Sequence, residues 1–255
     1  MKIATWNVNS LRVRLPHLLQ WLAANQPDIV ALQETKVVDE QFPQAELSAA
    51  GYYAVFAGQK TYNGVAILSK SPATEVISDI PTLDDPQRRI LAATIQGIRV
   101  VNLYVVNGSE VGSEKYAYKL DWLTKVTAWL QTQAATYPQL VVLGDFNIAP
   151  TDADVHNPKT WQGKILCSEP ERDALSRIQA LGIADCFRLF EQTDKSFSWW
   201  DYRGGGFRRN QGLRIDLILA SAALAERCER CVIDKEPRTW EQPSDHTPVI
   251  AEFKL

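Results

Sequence analysis

Residues 52–106 read YYAVFAGQKTYNGVAILSKSPATEVISDIPTLDDPQRRILAATIQGIRVVNLYVV. Four strand-like runs follow one another here, Val65 to Leu68, Ile90 to Ile95 and Val100 to Val106 among them, punctuated by Gly, Pro, Asp and Asn. Little room remains for helices between them. Parallel-sheet proteins alternate strand and helix, so this stretch favours antiparallel meanders with the helices outside. Val- and Ile-rich runs of strand length flank it: Ile3 to Val8, Ile29 to Gln33, Leu140 to Leu143, Ile215 to Leu219 and Val249 to Phe253. Leu11, Leu15, Leu18, Leu19 and Leu22 recur at helical spacing after Ser10, a candidate N-cap. A second helix is expected near Glu114 to Ala135, with Trp122, Val126 and Trp129 along one side. A third spans about Glu171 to Leu181, stopped by Gly182. The expected fold class is α+β, a sandwich with helices outside.

Composition bounds the rest. Of 255 residues, 45% are hydrophobic and 22% charged, which excludes a disordered chain. The longest apolar runs, such as Leu217 to Ala225 with its interruption at Ser221, fall far short of the ~20 residues that span a bilayer. The opening Lys2-Ile3-Ala4-Thr5-Trp6-Asn7 turns polar too soon for a secretory signal. No linker or repeat interrupts the chain, so one domain over residues 1–255 is the simpler expectation. Four cysteines without a dense framework point to a reducing cytoplasm. Cys228-Glu229-Arg230-Cys231 is half of a zinc site whose other half is missing, and ordinary thiols are the default. The net charge of -3 speaks, on its face, against a nucleic-acid partner.

Several strand runs end in amides and carboxylates: Asn7 and Asn9; Gln33-Glu34; Gly144-Asp145-Phe146-Asn147; Asp216 inside an apolar run; and Ser244-Asp245-His246 before the last strand. If these ends converge, one site holds Glu34, Asp145, Asp216 and Asp245 with Asn7, Asn147 and His246. Such hard donors suit Mg²⁺, Mn²⁺ or Ca²⁺ better than zinc. Each residue alone reads as a turn former, a surface acid or a structural histidine. Asp216 is the exception, because a carboxylate buried in an apolar strand needs a partner.

Read in order, Trp6-Asn7-Val8-Asn9, Leu32-Gln33-Glu34-Thr35-Lys36, Tyr62-Asn63-Gly64-Val65-Ala66-Ile67-Leu68, Arg88-Arg89-Ile90, Gly144-Asp145-Phe146-Asn147, Gly212-Leu213-Arg214-Ile215-Asp216 and Ser244-Asp245-His246 resemble the exonuclease III family of abasic-site endonucleases. That family lies within the endonuclease/exonuclease/phosphatase superfamily. The likeness runs from residue 2 to residue 254. It implies a four-layered α/β sandwich, two mixed sheets face to face with helices outside, and metal-dependent hydrolysis of DNA phosphodiesters. The substrates implied are duplex DNA with abasic sites or 3′ ends, the cofactor Mg²⁺ (or Mn²⁺), and the state a monomer away from membranes.

Carried over by resemblance, Glu34 would bind the metal, with Asn7 and Asp245 near it. Asp145 would orient and deprotonate the attacking water, or hold it as a metal-bound hydroxide. Asn147 and Asn7 would hydrogen-bond phosphoryl oxygens, Asp216 would fix His246, and His246 would contact the phosphate. Tyr104 matches a phosphate ligand or proton donor. On the DNA side, Trp199, Leu213 and Ile215 would line an apolar pocket for an abasic sugar, and Arg89 and Asn107 would touch the backbone. Arg203, Arg208, Arg209 and Arg214 could track phosphates.

Two departures fall at the DNA-facing rim: Tyr104-Val105-Val106-Asn107-Gly108 lacks the family's proline, and the loop Ser109 to Ser113 is short. The segment Asp152 to Cys167 is also poorly matched. A specialist in 3′-5′ exonuclease or 3′-phosphatase action is therefore the alternative to an abasic endonuclease. A phosphatase of another branch and an inactive binding module rank below both.

Overall fold

Two six-stranded mixed sheets form the centre of the chain in a computed structural model that describes residues 1–255. The strands, in chain order, are β1 (Lys2–Asn7), β2 (Ile29–Gln33), β3 (Tyr53–Ala57), β4 (Val65–Ser69), β5 (Thr74–Ile77), β6 (Ile90–Ile95), β7 (Ile98–Tyr104), β8 (Leu140–Asp145), β9 (Ile183–Asp185), β10 (Trp199–Trp200), β11 (Gly212–Leu213), β12 (Asp216–Ser221), β13 (Cys228–Ile233) and β14 (Val249–Phe253). One sheet runs β13-β14-β1-β2-β4-β3, the other β5-β6-β7-β8-β12-β9. Each has a single parallel pair, β1 with β2 and β7 with β8.

The stretch from Tyr52 to Val106 is antiparallel, as expected, but divided. Strands β3 and β4 close the edge of one sheet, and β5, β6 and β7 form a meander in the other. Successive side chains of a strand point to opposite faces. Thus Ile3 packs between the sheets, while Ala4 and Trp6 face outward against α1 (Leu11–Asn25) and α2 (Gln44–Ala49). On the far side, α3 (Glu114–Thr136) and α5 (Glu169–Gln179) cover the second sheet, with a short α4 (Pro158–Trp161) before α5. The order helix, sheet, sheet, helix makes the four layers. Because both faces of each sheet are covered, the strands read as near-continuous apolar runs.

Two helix starts differ from the sequence reading. Ser10 does not cap α1: its φ is 87° and its side chain bonds none of the free amides. Instead the Ser10 and Leu11 N–H groups donate to the Glu34 and Thr35 carbonyls, so tertiary contacts satisfy that end of the helix. Helix α5 begins two residues early, because Ser168 and Glu171 form a capping box. The four cysteines are free thiols, and no helix is long and apolar enough to cross a membrane.

Candidate active site

Register places the chemistry. In the second sheet Asp145 pairs with Tyr104 on one side and with Asp216 on the other. Three polar side chains therefore stand abreast at one end of β7, β8 and β12. Gly144 permits this, for its φ is 145° and a Cβ there would collide with the Leu103 carbonyl. Across the sandwich β1 ends at Asn7, opposite Gln33, and Glu34 follows at once. Asn9, Ser10, Glu34, Lys36 and Asn147 all take positive φ, between 43° and 87°. Asparagine tolerates that region, but serine, glutamate and lysine are strained in it.

The Asn7 amide joins the two halves. Its Nδ2 donates to Glu34 Oε1 and to Asp145 Oδ2, each at 2.9 Å. The Tyr104 hydroxyl donates to the same Glu34 oxygen at 2.9 Å. Ligand atoms of Glu34, Asp145 and His246 lie within 4.8 Å of one another. Two carboxylates sharing one amide, with an imidazole beside them, are a donor set that fits a divalent metal. His246 Nδ1 lies 3.1 Å and 2.8 Å from the Asp216 oxygens, and the Ser198 hydroxyl donates to Asp216 Oδ2 at 2.7 Å. Asp216 thus has the partners its burial requires. His246 Nε2 faces Asp145 Oδ2 at 3.6 Å.

Burial, with Asp216 nearby, raises the Asp145 carboxyl to about 7, against the opposing pull of His246 and its hydrogen bonds. Burial would lower His246, but the Asp216 and Asp145 carboxylates prevail and raise it to about 10. Burial likewise opposes ionisation of Glu34, yet Lys36 at 2.9 Å and the Asn7 bond hold it below the ordinary range. Tyr104 is pushed well above its usual value by burial and by Glu34, so it remains a phenol and a donor.

Other anticipated residues sit as follows. Asn147 donates its backbone N–H to Asp145 Oδ1 at 2.9 Å and its amide to the Val105 carbonyl at 3.0 Å, and accepts from exposed Asn107 at 3.0 Å. Asp245 lies outside the three-ligand cluster: its oxygens accept from Trp199 Nε1 at 2.9 Å and Asn9 Nδ2 at 3.0 Å. Arg89 lies over the Tyr104 ring, 4.6 Å from its centroid, and with Asn107, Tyr62 and Lys115 lines a cavity of about 420 Å³. Trp199 packs against a small cluster holding Val155, Leu166, Leu213 and Ile215. Leu213 and Ile215 are 0% and 1% exposed. The Arg203 side chain is 94% exposed.

Arg214 corrects the sequence reading. It is buried, at 2.7 Å from both Asp154 and Asp185, and cannot track phosphates. Sequence reasoning also missed Ser198, Asn102, Lys119 and Glu171. Lys119 carried a signal: Tyr116, Lys119, Trp122, Leu123, Val126 and Trp129 form one buried stripe of α3. A cation in such a stripe demands a buried partner.

Sheets meeting at an edge of carboxylates, amides, a phenol and an imidazole define a class, the sandwich-built phosphoesterases. The chain belongs to the endonuclease/exonuclease/phosphatase family, whose model matches residues 4–246. It is 38% identical to an exodeoxyribonuclease III of Haemophilus influenzae, with all of both chains covered. Among solved structures, the 3′ phosphatase NExo from Neisseria, bound to a product DNA hairpin, is 48% identical with a TM-score of 0.98 over 100% of both chains. An AP endonuclease from Archaeoglobus fulgidus is 41% identical, with a TM-score of 0.96 and the same coverage.

Proposed function

We propose that residues 1–255 act as one domain that hydrolyses phosphate esters in DNA, cutting 5′ to abasic sites and processing 3′ ends. The chain is a DNA repair nuclease of the exonuclease III type. The observation that carries the chemistry is Asn7 holding Glu34 and Asp145 together beside His246.

Glu34 and Asp145 would hold the cation, with Asn7 and Asn147 steering their carboxylates. A bound divalent cation, Mg²⁺ or in its place Mn²⁺, neutralises charge on the phosphate. Asp145, aimed by the Asn7 amide and the Asn147 N–H, takes a proton from the attacking water. Asp216 fixes the His246 ring with Nδ1 toward itself, which leaves the positive Nε2 edge for a phosphoryl oxygen. Tyr104 supplies a further hydrogen bond to that cluster. Asp245 holds Trp199 and Asn9 at the rim.

One observation favours the 3′-end specialist as a second reading. Leu213 and Ile215, expected to line a sugar pocket, are closed off beneath Val155, Leu166 and Trp199. An internal abasic nucleotide would need that cluster to open, whereas a terminal 3′ phosphate would not. The purified protein is to be given abasic duplex, recessed 3′ ends and 3′-phosphate ends, with Mg²⁺, with Mn²⁺ and with EDTA. Metal-dependent release from all three supports the broad reading. Release confined to 3′ ends selects the specialist, and no metal-dependent release from any of them rejects both.

A further inference from the structure

Behind the catalytic edge lies a charge that the mechanism above does not use. Lys119 on α3 and Glu171 on α5 are both fully buried and ion-paired with each other. The Lys119 ammonium has three donors, and all are engaged: the Glu171 carboxylate, the Asn147 carbonyl at 2.7 Å and the Asn107 carbonyl at 3.1 Å. Glu171 is equally saturated, accepting from the Leu166 and Ser168 N–H groups at 3.1 Å each and from the Ser168 hydroxyl at 2.6 Å. The lysine stem packs the same loop. Gly108, with φ 89°, lies where a Cβ would come within 3.0 Å of Lys119 Cδ.

The two carbonyls belong to the two asparagines whose side chains bond each other, and Asn147 in turn holds Asp145 through its backbone N–H. Asn147 has φ 47°, a left-handed turn that asparagine tolerates and that brings its carbonyl to Lys119 and its N–H to Asp145. We infer that Lys119 is a positioning residue for hydrolysis: its ammonium fixes the Asn107 and Asn147 carbonyls and thereby aims the Asp145 carboxylate. Glu171 neutralises the lysine so that it can be buried and ties the 164–168 loop to the same point. This inference rests on the nuclease reading of the site.

Replacing Lys119 alone strands a buried carboxylate and threatens folding. Either single change strands the other charge, so the test compares the wild type with Glu171→Gln/Lys119→Met, which removes both charges together. Turnover on a 3′-phosphate duplex, thermal midpoint and amide exchange at Val105 and Asn147 are measured for each. The double variant is expected to fold with its core strands protected as in the wild type, to lose about 10- to 100-fold in kcat with KM nearly unchanged, and to exchange faster at both amides. Wild-type kcat in the folded double variant, or unchanged protection at Val105 and Asn147, overturns the inference. If the wild type turns over no DNA end, the nuclease reading fails and the exchange comparison alone decides the positioning role.

Discussion

Asp145 is the residue on which the reading turns. It is buried, raised to about 7, and oriented by bonds from both Asn7 and Asn147. Asparagine at this position keeps the shape and loses the proposed base. Asp145→Asn is expected to lower kcat by about 100-fold or more, with the thermal midpoint no lower than that of the wild type. Near-normal nicking by this variant would remove the basis of the mechanism. Glu34→Ala should lose comparable activity, and isothermal titration with Mg²⁺ should show weakened metal binding. At this scale the sequence was informative, because an acid inside an apolar strand, such as Asp216, has to find a partner, here Ser198 and His246. It marked Asp245 for the site but not its partners, for its two oxygens hold Trp199 and Asn9. Nothing in a Ser-Asp-His triplet says which neighbours its middle residue meets.

The short run Gly212 to Asp216 teaches a lesson about elements. Leu213 and Ile215 point into one apolar cluster while Arg214, between them, points the other way. Alternation was legible; the destination of the second face was not. Arg214 is clasped by Asp154 and Asp185 and covered by Phe187, 4.8 Å from its ring centroid. Arg214→Ala leaves buried Asp185 without its cation and Asp154 with Arg188 alone, and should cost about 3–5 kcal/mol in urea unfolding. Burial would raise Asp154, but Arg214 and Arg188 hold it below the ordinary carboxylate range. The stability it contributes is therefore present above pH ~4 and lost as pH falls through its depressed value. The wild type should lose stability as pH falls below ~4, and Arg214→Ala should show a flatter profile there. Ser10 is the converse case: a good capping residue displaced by carbonyls from a distant loop, which no local pattern encodes.

In the whole molecule, the two sheets are joined by a polar bridge as well as an apolar core. Asn102 of β7 donates across the gap to the Leu32 and Ala66 carbonyls at 2.9 Å each, and accepts from Gln33 at 2.8 Å. Gln33 precedes Glu34, and Asn102 lies two residues before Tyr104, so this bridge sets the distance between the halves of the site. Asn102→Leu should reduce kcat by about tenfold or more with circular dichroism unchanged. The net charge of -3 proves a poor guide to partners, because exposed Arg203, Arg208 and Arg209 are concentrated in one rim loop. Duplex affinity measured by anisotropy should fall steeply with salt, and a triple Arg→Ala variant of that loop should flatten the slope.

The layered class was readable from strand-rich runs. The pairing of Asp145 with Asp216, or of β1 with β14, was not, since it depends on partners far apart in sequence. That last pairing has a consequence for biogenesis. Asn7 has its carbonyl held by Ser244, β1 is bordered by the final strand, and His246 completes the candidate metal cluster. A chain emerging from the ribosome has most of both sheets long before it has this corner. Until residue 246 is made and Val249 to Phe253 zip onto β1, the nascent protein lacks its imidazole. Cutting power therefore arrives only after residue 246 is made, and products truncated before it should not cut DNA.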